Sequence, residues 1–113
     1  MQLFILAVGK GRGSAESRLA EDWIGRLPDG GQIVEIESKF PAGIKRTEDE
    51  GARLLRALPS ASVLAILDPR GKDHSSEELA ALIGDWRDSG YTSAAFAIGG
   101  ADGHATDIRQ KAQ

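Results

Sequence analysis

The chain contains no cysteine, and aromatic residues make up only 5% of it. Without thiols there is no disulfide framework, no zinc-thiolate site and no cysteine nucleophile. The only histidines are His74 and His104, so a metal centre would have to lean on carboxylates, and none is expected. The lack of cysteine fits a reducing compartment, and a cytoplasmic location is expected. Long hydrophobic runs are also missing: no apolar stretch reaches the roughly 18 residues of a membrane span. The opening "MQLFILAVGK" has neither the basic start nor the small-residue cleavage site of a signal peptide, and reads as a first strand. Nor does either sign of charge dominate. A net charge of −3 argues against a free-standing nucleic-acid binder, which carries a basic excess. It leaves room for a local basic patch, because Lys10, Arg12, Arg18, Lys39, Lys45 and Arg46 all fall in the first half. The alternative for these residues is a solvated mixed-charge surface.

What remains is an ordinary globular composition of one domain, residues 1–113, with 41% hydrophobic and 27% charged residues. Apolar runs alternate with helix-like segments. Residues 2–8, "QLFILAV", suit a strand buried on both faces. After "GKGRG", Ser14 caps a predicted helix over 15–27 whose Leu19, Trp23, Ile24 and Leu27 share one face. "DGG" at 29–31 is a turn before a second strand, "QIVEIESK". Thr47 and Glu50 form a capping-box pattern that opens a helix to Leu58. "SVLAIL" (62–67) is a third strand. A helix over 76–88 follows, started by Ser75 or Ser76 with Glu78 near, burying Leu79, Leu82, Ile83 and Trp86 and capped by Gly90. Residues 93–98 are a fourth strand, and a last helix begins near residue 104. Strands separated by helices imply an α/β fold: a mostly parallel sheet in a three-layer α/β/α arrangement, with ligands at the carboxyl ends of the strands.

Three loops sit at that edge. "VGKGRGS" has glycines at 9, 11 and 13, but the dinucleotide spacing G-x-G-x-x-G needs one at position 14, which is Ser14. With Glu35 or Glu37 as ribose ligand it would make a Rossmann-type nucleotide site; otherwise Lys10 and Arg12 are two loop cations available to a polyanion. In "LDPRGKDHSSEEL", Asp68 either binds a ligand hydroxyl or amine, or closes the turn with its own side chain. In "FAIGGADGH", Gly99 and Gly100 end a buried strand, where a bare backbone permits close approach of a flat ligand such as adenine. His104 is either a base or, as the favoured reading, a residue on the exposed first turn of the last helix, and His74 has the same two readings. Trp23 and Trp86 are placed in the core. No nucleophile-elbow G-x-S-x-G is present in the sequence.

"LFILAVGKG", "ILDPRGKDHSSEELA", the tryptophan of the following helix and "FAIGGADG" occur in one order along the whole chain. In this the chain resembles the RlmH (YbeA-like) family, the 23S rRNA pseudouridine methyltransferases of the SPOUT superfamily. The resemblance implies a SPOUT-like α/β fold with a C-terminal trefoil knot, an exception to the rule against knots. It implies a homodimer that methylates N3 of a pseudouridine in the assembled ribosome, using S-adenosylmethionine. It places cofactor contacts at Leu67 and Gly99, with Gly100 adjoining. Lys10 and Arg12 are candidates to meet rRNA. No catalytic base is named. The family pattern continues past this point with a third cofactor loop, a Pro-His pair and a Tyr-His end. The only tyrosine here is Tyr91, and His104 stands where the family places Leu. The expectation is therefore a C-terminally incomplete catalytic domain lacking its knot portion. The alternative is a non-catalytic module that docks on ribosomes or another partner.

Overall fold

The computed structural model describes residues 1–9, 13–100, 103–105, 108–109 and 112. Along the chain run β1 (Gln2–Val8), α1 (Ala15–Gly25), β2 (Gly31–Ile36), α2 (Ile44–Ala57), β3 (Ser62–Leu67), α3 (Ser76–Asp88) and β4 (Ser93–Ile98). The strands make one sheet in the order β2-β1-β4-β3, parallel throughout. The connections through α1 and α3 join neighbouring strands. The connection through α2 passes from one edge of the sheet to the other, over β1 and β4. Right-handed crossovers then put α2 on one face and α1 and α3 on the opposite one.

Alternation along the strands sorts the core into two halves. On the α2 face, Leu6, Ile36, Leu64, Ala95 and Ala97 pack with Leu54 of α2 and with Ile108. On the other face, Val63 and Ala94 pack with Trp86 of α3, joined by the partly buried Leu3, Leu82, Ile83 and Phe96. The alanines of β4 carry almost no bulk in the middle of the sheet, and all three are fully buried. That lets helices approach from both sides. Gly31 does the same for α1: a Cβ there would stand 3.0 Å from Leu27 Cδ1 and 3.1 Å from Ile24 Cγ2. Each fully buried leucine contributes about 1.5–3 kcal/mol relative to leaving it in water.

The helix ends follow their sequence signals in two of three cases. Ser14 Oγ accepts from the Ser17 N–H (3.0 Å) at α1. Ser75 and Glu78 form a full capping box at α3, and the reverse turn after it uses Gly90 at φ +99°. In α2 the expected Thr47–Glu50 box is wrong. The helix starts earlier, from Gly43 at φ +136°, a conformation that glycine alone adopts cheaply. Thr47 lies one turn inside, its hydroxyl donating to the Gly43 carbonyl (3.3 Å). Glu50 is thereby freed for another place, buried beside the sheet edge.

A second correction concerns α1. Its apolar stripe is not core: Trp23 is 61% exposed, Leu19 is exposed as well, and no residue of the helix is buried. Of the stripe, Ile24 and, just beyond the helix end, Leu27 are partly covered. The Arg26 guanidinium lies over the Trp23 ring, 4.8 Å from its centroid, so the indole face is covered from its own helix by a cation rather than by the sheet. Trp86, by contrast, is buried against Phe96, ring centroids 6.2 Å apart.

Candidate functional site at the carboxyl edge of the sheet

Parallel pairing brings the ends of β3 and β4 level, Leu67 opposite Ile98. Leu67 and the glycine pair therefore come together, as the sequence predicts. Lys10 and Arg12 lie outside the described residues. After Gly100 the chain doubles back, with the Gly103 N–H donating to the Gly100 carbonyl (3.0 Å) and Gly103 at φ +82°. This return delivers His104 to the ends of β3 and β4, against Leu67 and Gly99. The residue is 8% exposed, a correction to its placement on an exposed helical turn. Nε2 lies 3.3 Å from the Leu67 carbonyl oxygen. A carbonyl can only accept, so Nε2 is the donor in this contact. Nδ1 is buried and has no hydrogen-bond partner among the described residues.

The chain itself uses the bareness of both glycines. A Cβ on Gly99 would come within 3.1 Å of the Gly103 backbone and 3.2 Å of His104 Cε1. A Cβ on Gly100 would come within 3.1 Å of Val8 Cγ1 and 3.2 Å of both Glu50 carboxylate oxygens. Glu50 is an acidic residue near this edge; its carboxylate also lies 3.8 Å from Arg46 Nε. Asp68 is another, and its side chain makes two contacts. Oδ1 accepts from the Arg70 N–H (2.8 Å), closing the turn, and Oδ2 pairs with the Arg109 guanidinium. The Arg70 N–H foremost, helped by the charges of Arg109 and Arg70 and opposed by partial burial, holds the Asp68 carboxyl below its ordinary value of 3.8. Arg109 also donates from Nε to the His104 carbonyl (3.3 Å).

Beside Leu67, on the α3 side, a cleft of about 560 Å³ opens. Leu79, Leu82, Trp86 and Phe96 form its apolar wall, and Arg70, Lys72, His74 and Arg109 its basic rim, with Asp68 and Asp73 among them. Its size and its mix of an apolar floor with a few polar groups are those of a small-molecule or nucleotide site. Among the described residues, no three His, Asp or Glu side chains gather into a metal-ligand group, and no helix is long and apolar enough to cross a membrane.

Arg109, Glu50 and Gly51 are residues of this edge that sequence reasoning missed, and His104 it considered but placed on the surface. One signal was available. Gly51 sits inside a helix, where glycine is costly without a packing reason; a Cβ there would meet the Ala105 Cβ at 2.9 Å. The glycine marks where the segment after β4 lies against α2.

A wholly parallel four-stranded sheet with helices on both faces, and its ligand edge at the strands' carboxyl ends, is an α/β architecture consistent with SPOUT methyltransferases. The family described as predicted SPOUT methyltransferase matches residues 1–113. The chain is 40% identical over 113 residues to a protein named Ribosomal RNA large subunit methyltransferase H from Paramagnetospirillum magneticum, covering 99% of this chain and 74% of that one. Proteins of the same name from Cereibacter sphaeroides and a Bradyrhizobium species are 41% and 36% identical, over 99% and 100% of this chain and 75% and 76% of theirs. The chain thus belongs to the SPOUT methyltransferases, and within them to the ribosomal RNA large subunit methyltransferase H (RlmH) family.

The residues present can be tested against the methyl donor that such a family implies. Leu67 offers a backbone acceptor and Gly99 and Gly100 offer no side chains. In this conformation, however, the acceptor is engaged by His104, and the volume against Gly99 is filled by Gly103 and His104. An adenosyl group does not fit at the rim as the rim stands.

Proposed function

We propose that this chain is an S-adenosylmethionine-dependent methyltransferase of large-subunit rRNA whose target is N3 of a pseudouridine in the assembled ribosome. The observation that carries the reading is the family match along all 113 residues. The juxtaposition of Leu67, Gly99 and Gly100 at the carboxyl edge of a parallel sheet supports it. In this reading those three residues border the adenosine in a conformation in which His104 and Gly103 no longer fill the space against Gly99. The cofactor brings an already activated methyl group, so the protein's contribution is mainly positioning. The basic rim at Arg70 and Lys72 meets RNA phosphates, with Lys10 and Arg12 as further contacts. A homodimer working in the cytoplasm on the ribosome fits the same reading.

The test is transfer of tritiated methyl from S-adenosylmethionine to ribosomes isolated from cells lacking the family enzyme, together with calorimetric binding of the cofactor. Label in large-subunit rRNA and saturable binding are the expected results. Ribosome co-sedimentation with neither binding nor transfer would overturn the enzymatic reading in favour of a docking module.

A further inference from the structure

We infer that His104 is a resident stand-in for the cofactor's purine, and that its displacement sets the cofactor affinity of this chain. The inference rests on the cofactor reading above and goes beyond it, since neither the family nor the fold assigns His104 a role. It stands on three observations. The imidazole is a flat nitrogen heterocycle, almost wholly buried, at the place where the sheet edge offers a backbone acceptor and a side-chain-free wall. Its Nε2–H is directed at the Leu67 carbonyl, as an amino or ring N–H of a purine would be. Its Nδ1 makes no hydrogen bond among the described residues. A histidine packed purely for stability would be expected to satisfy both nitrogens. Among the described residues this one satisfies only the nitrogen facing the ligand edge.

The groups around the ring define what must move. Leu67 holds it from β3, and the Gly99 and Gly103 backbone confines it from the loop after β4. Arg109 grips the residue through its carbonyl oxygen and is itself anchored on Asp68. The backbone of residue 104 is therefore tethered, and a rotation of the side chain about its own bonds would vacate the Leu67 carbonyl and the part of the space against Gly99 that the ring fills, the Gly103 backbone staying in place. In the cleared state the Leu67 carbonyl is a free acceptor. A ligand that binds only this state sees its affinity reduced by the fraction of molecules in which His104 has left.

The test uses S-adenosylhomocysteine, a stable adenosyl ligand, titrated calorimetrically into the wild-type chain and into H104A and H104Q. H104A is expected to bind about five- to tenfold more tightly, the gain from no longer breaking one neutral hydrogen bond. Free imidazole should refill the space and weaken that binding. H104Q, whose side-chain amide can again donate to Leu67, should return toward wild type. In parallel, nitrogen-15 NMR of the wild type should show the His104 Nε2–H signal lost as ligand saturates. The chain has only two histidines, which makes the assignment direct. Equal affinity of wild type and H104A, with the His104 signal unmoved at saturation, would overturn the inference while leaving the cofactor reading intact. Absence of binding in every folded variant would overturn the cofactor reading and this inference with it. Should H104A fail to fold, the wild-type NMR titration alone decides: a His104 signal unchanged at saturation sinks the proposal.

Discussion

The Arg109 guanidinium pairs with the Asp68 carboxylate, tying the segment that follows β4 to the turn that follows β3. Both loops belong to the sheet's carboxyl edge. Asp68 closes its own turn through Arg70, and Gly103 closes the return through Gly100. Together with the hydrogen bond from His104 to Leu67, the ion pair joins the two loops into one rim. Because Arg109 also holds the His104 carbonyl, the position of the imidazole depends on a carboxylate more than thirty residues earlier in the chain.

That dependence has a pH signature. The folded protein holds the Asp68 carboxyl below 3.8, through the Arg70 N–H first and Arg109 second. A carboxyl lowered on folding adds stability that is complete above its unfolded value and is lost as pH falls through its folded value. Asp68→Asn keeps an oxygen for the Arg70 N–H but removes the charge that Arg109 faces. The melting temperature of the variant should fall below wild type at about pH 6, and the gap should close as pH drops toward about 2. Thermal melts across that range check it. A gap that stays constant with pH would mean that the carboxylate charge contributes nothing.

Two helical glycines should respond to alanine with opposite signs. Gly84 in α3 has ordinary helical backbone, and an added Cβ would find only Arg87 Nη2, at 3.9 Å. Gly84→Ala should therefore gain about 0.5–1 kcal/mol from helix propensity. Gly51 in α2 would place its Cβ 2.9 Å from that of Ala105. The cost of forcing the two apart, about 1–3 kcal/mol, should outweigh the same propensity gain. Chemical denaturation of the two variants measures both. The double change Gly51→Ala with Ala105→Gly should recover much of the loss, which locates the penalty in this contact.

The sheet was legible because its strands are short apolar runs bounded by glycine, proline and polar turns. α3 was legible because Ser75 and Glu78 carry a local code whose partners are three residues apart. What could not be read are relations without local code. The start of α2 depends on the backbone conformation of Gly43, which no side-chain pattern advertises. Thr47 and Glu50 matched a cap by spacing alone, while Glu50 was needed against Gly100, fifty positions away. At the rim, the glycine pair and Leu67 could be placed together from the order of the strands. The residue that fills the space between them could not, because the hydrogen bond from His104 to Leu67 spans 37 positions. A glycine requirement read from sequence does not say whether ligand or chain makes the close approach, and here the chain makes it.

The same distinction between pattern and packing can be measured on two apolar residues that look alike in the sequence. Leu54 and Trp23 both fall on the apolar stripe of an amphipathic helix. Leu54 is 2% exposed, within the cluster around Leu6 and Ile108. Its truncation leaves a cavity between α2 and the sheet, and Leu54→Ala should cost about 2–5 kcal/mol. Trp23, though larger, lies open to solvent with the Arg26 guanidinium over its ring. Trp23→Ala should cost no more than about 1 kcal/mol, the range of an exposed cation–π contact. Equilibrium denaturation of the two variants decides the matter. A Trp23→Ala loss as large as that of Leu54→Ala would mean that the indole is covered in solution, by a second copy of the chain or another surface, and the dependence of the midpoint on protein concentration would separate those two cases.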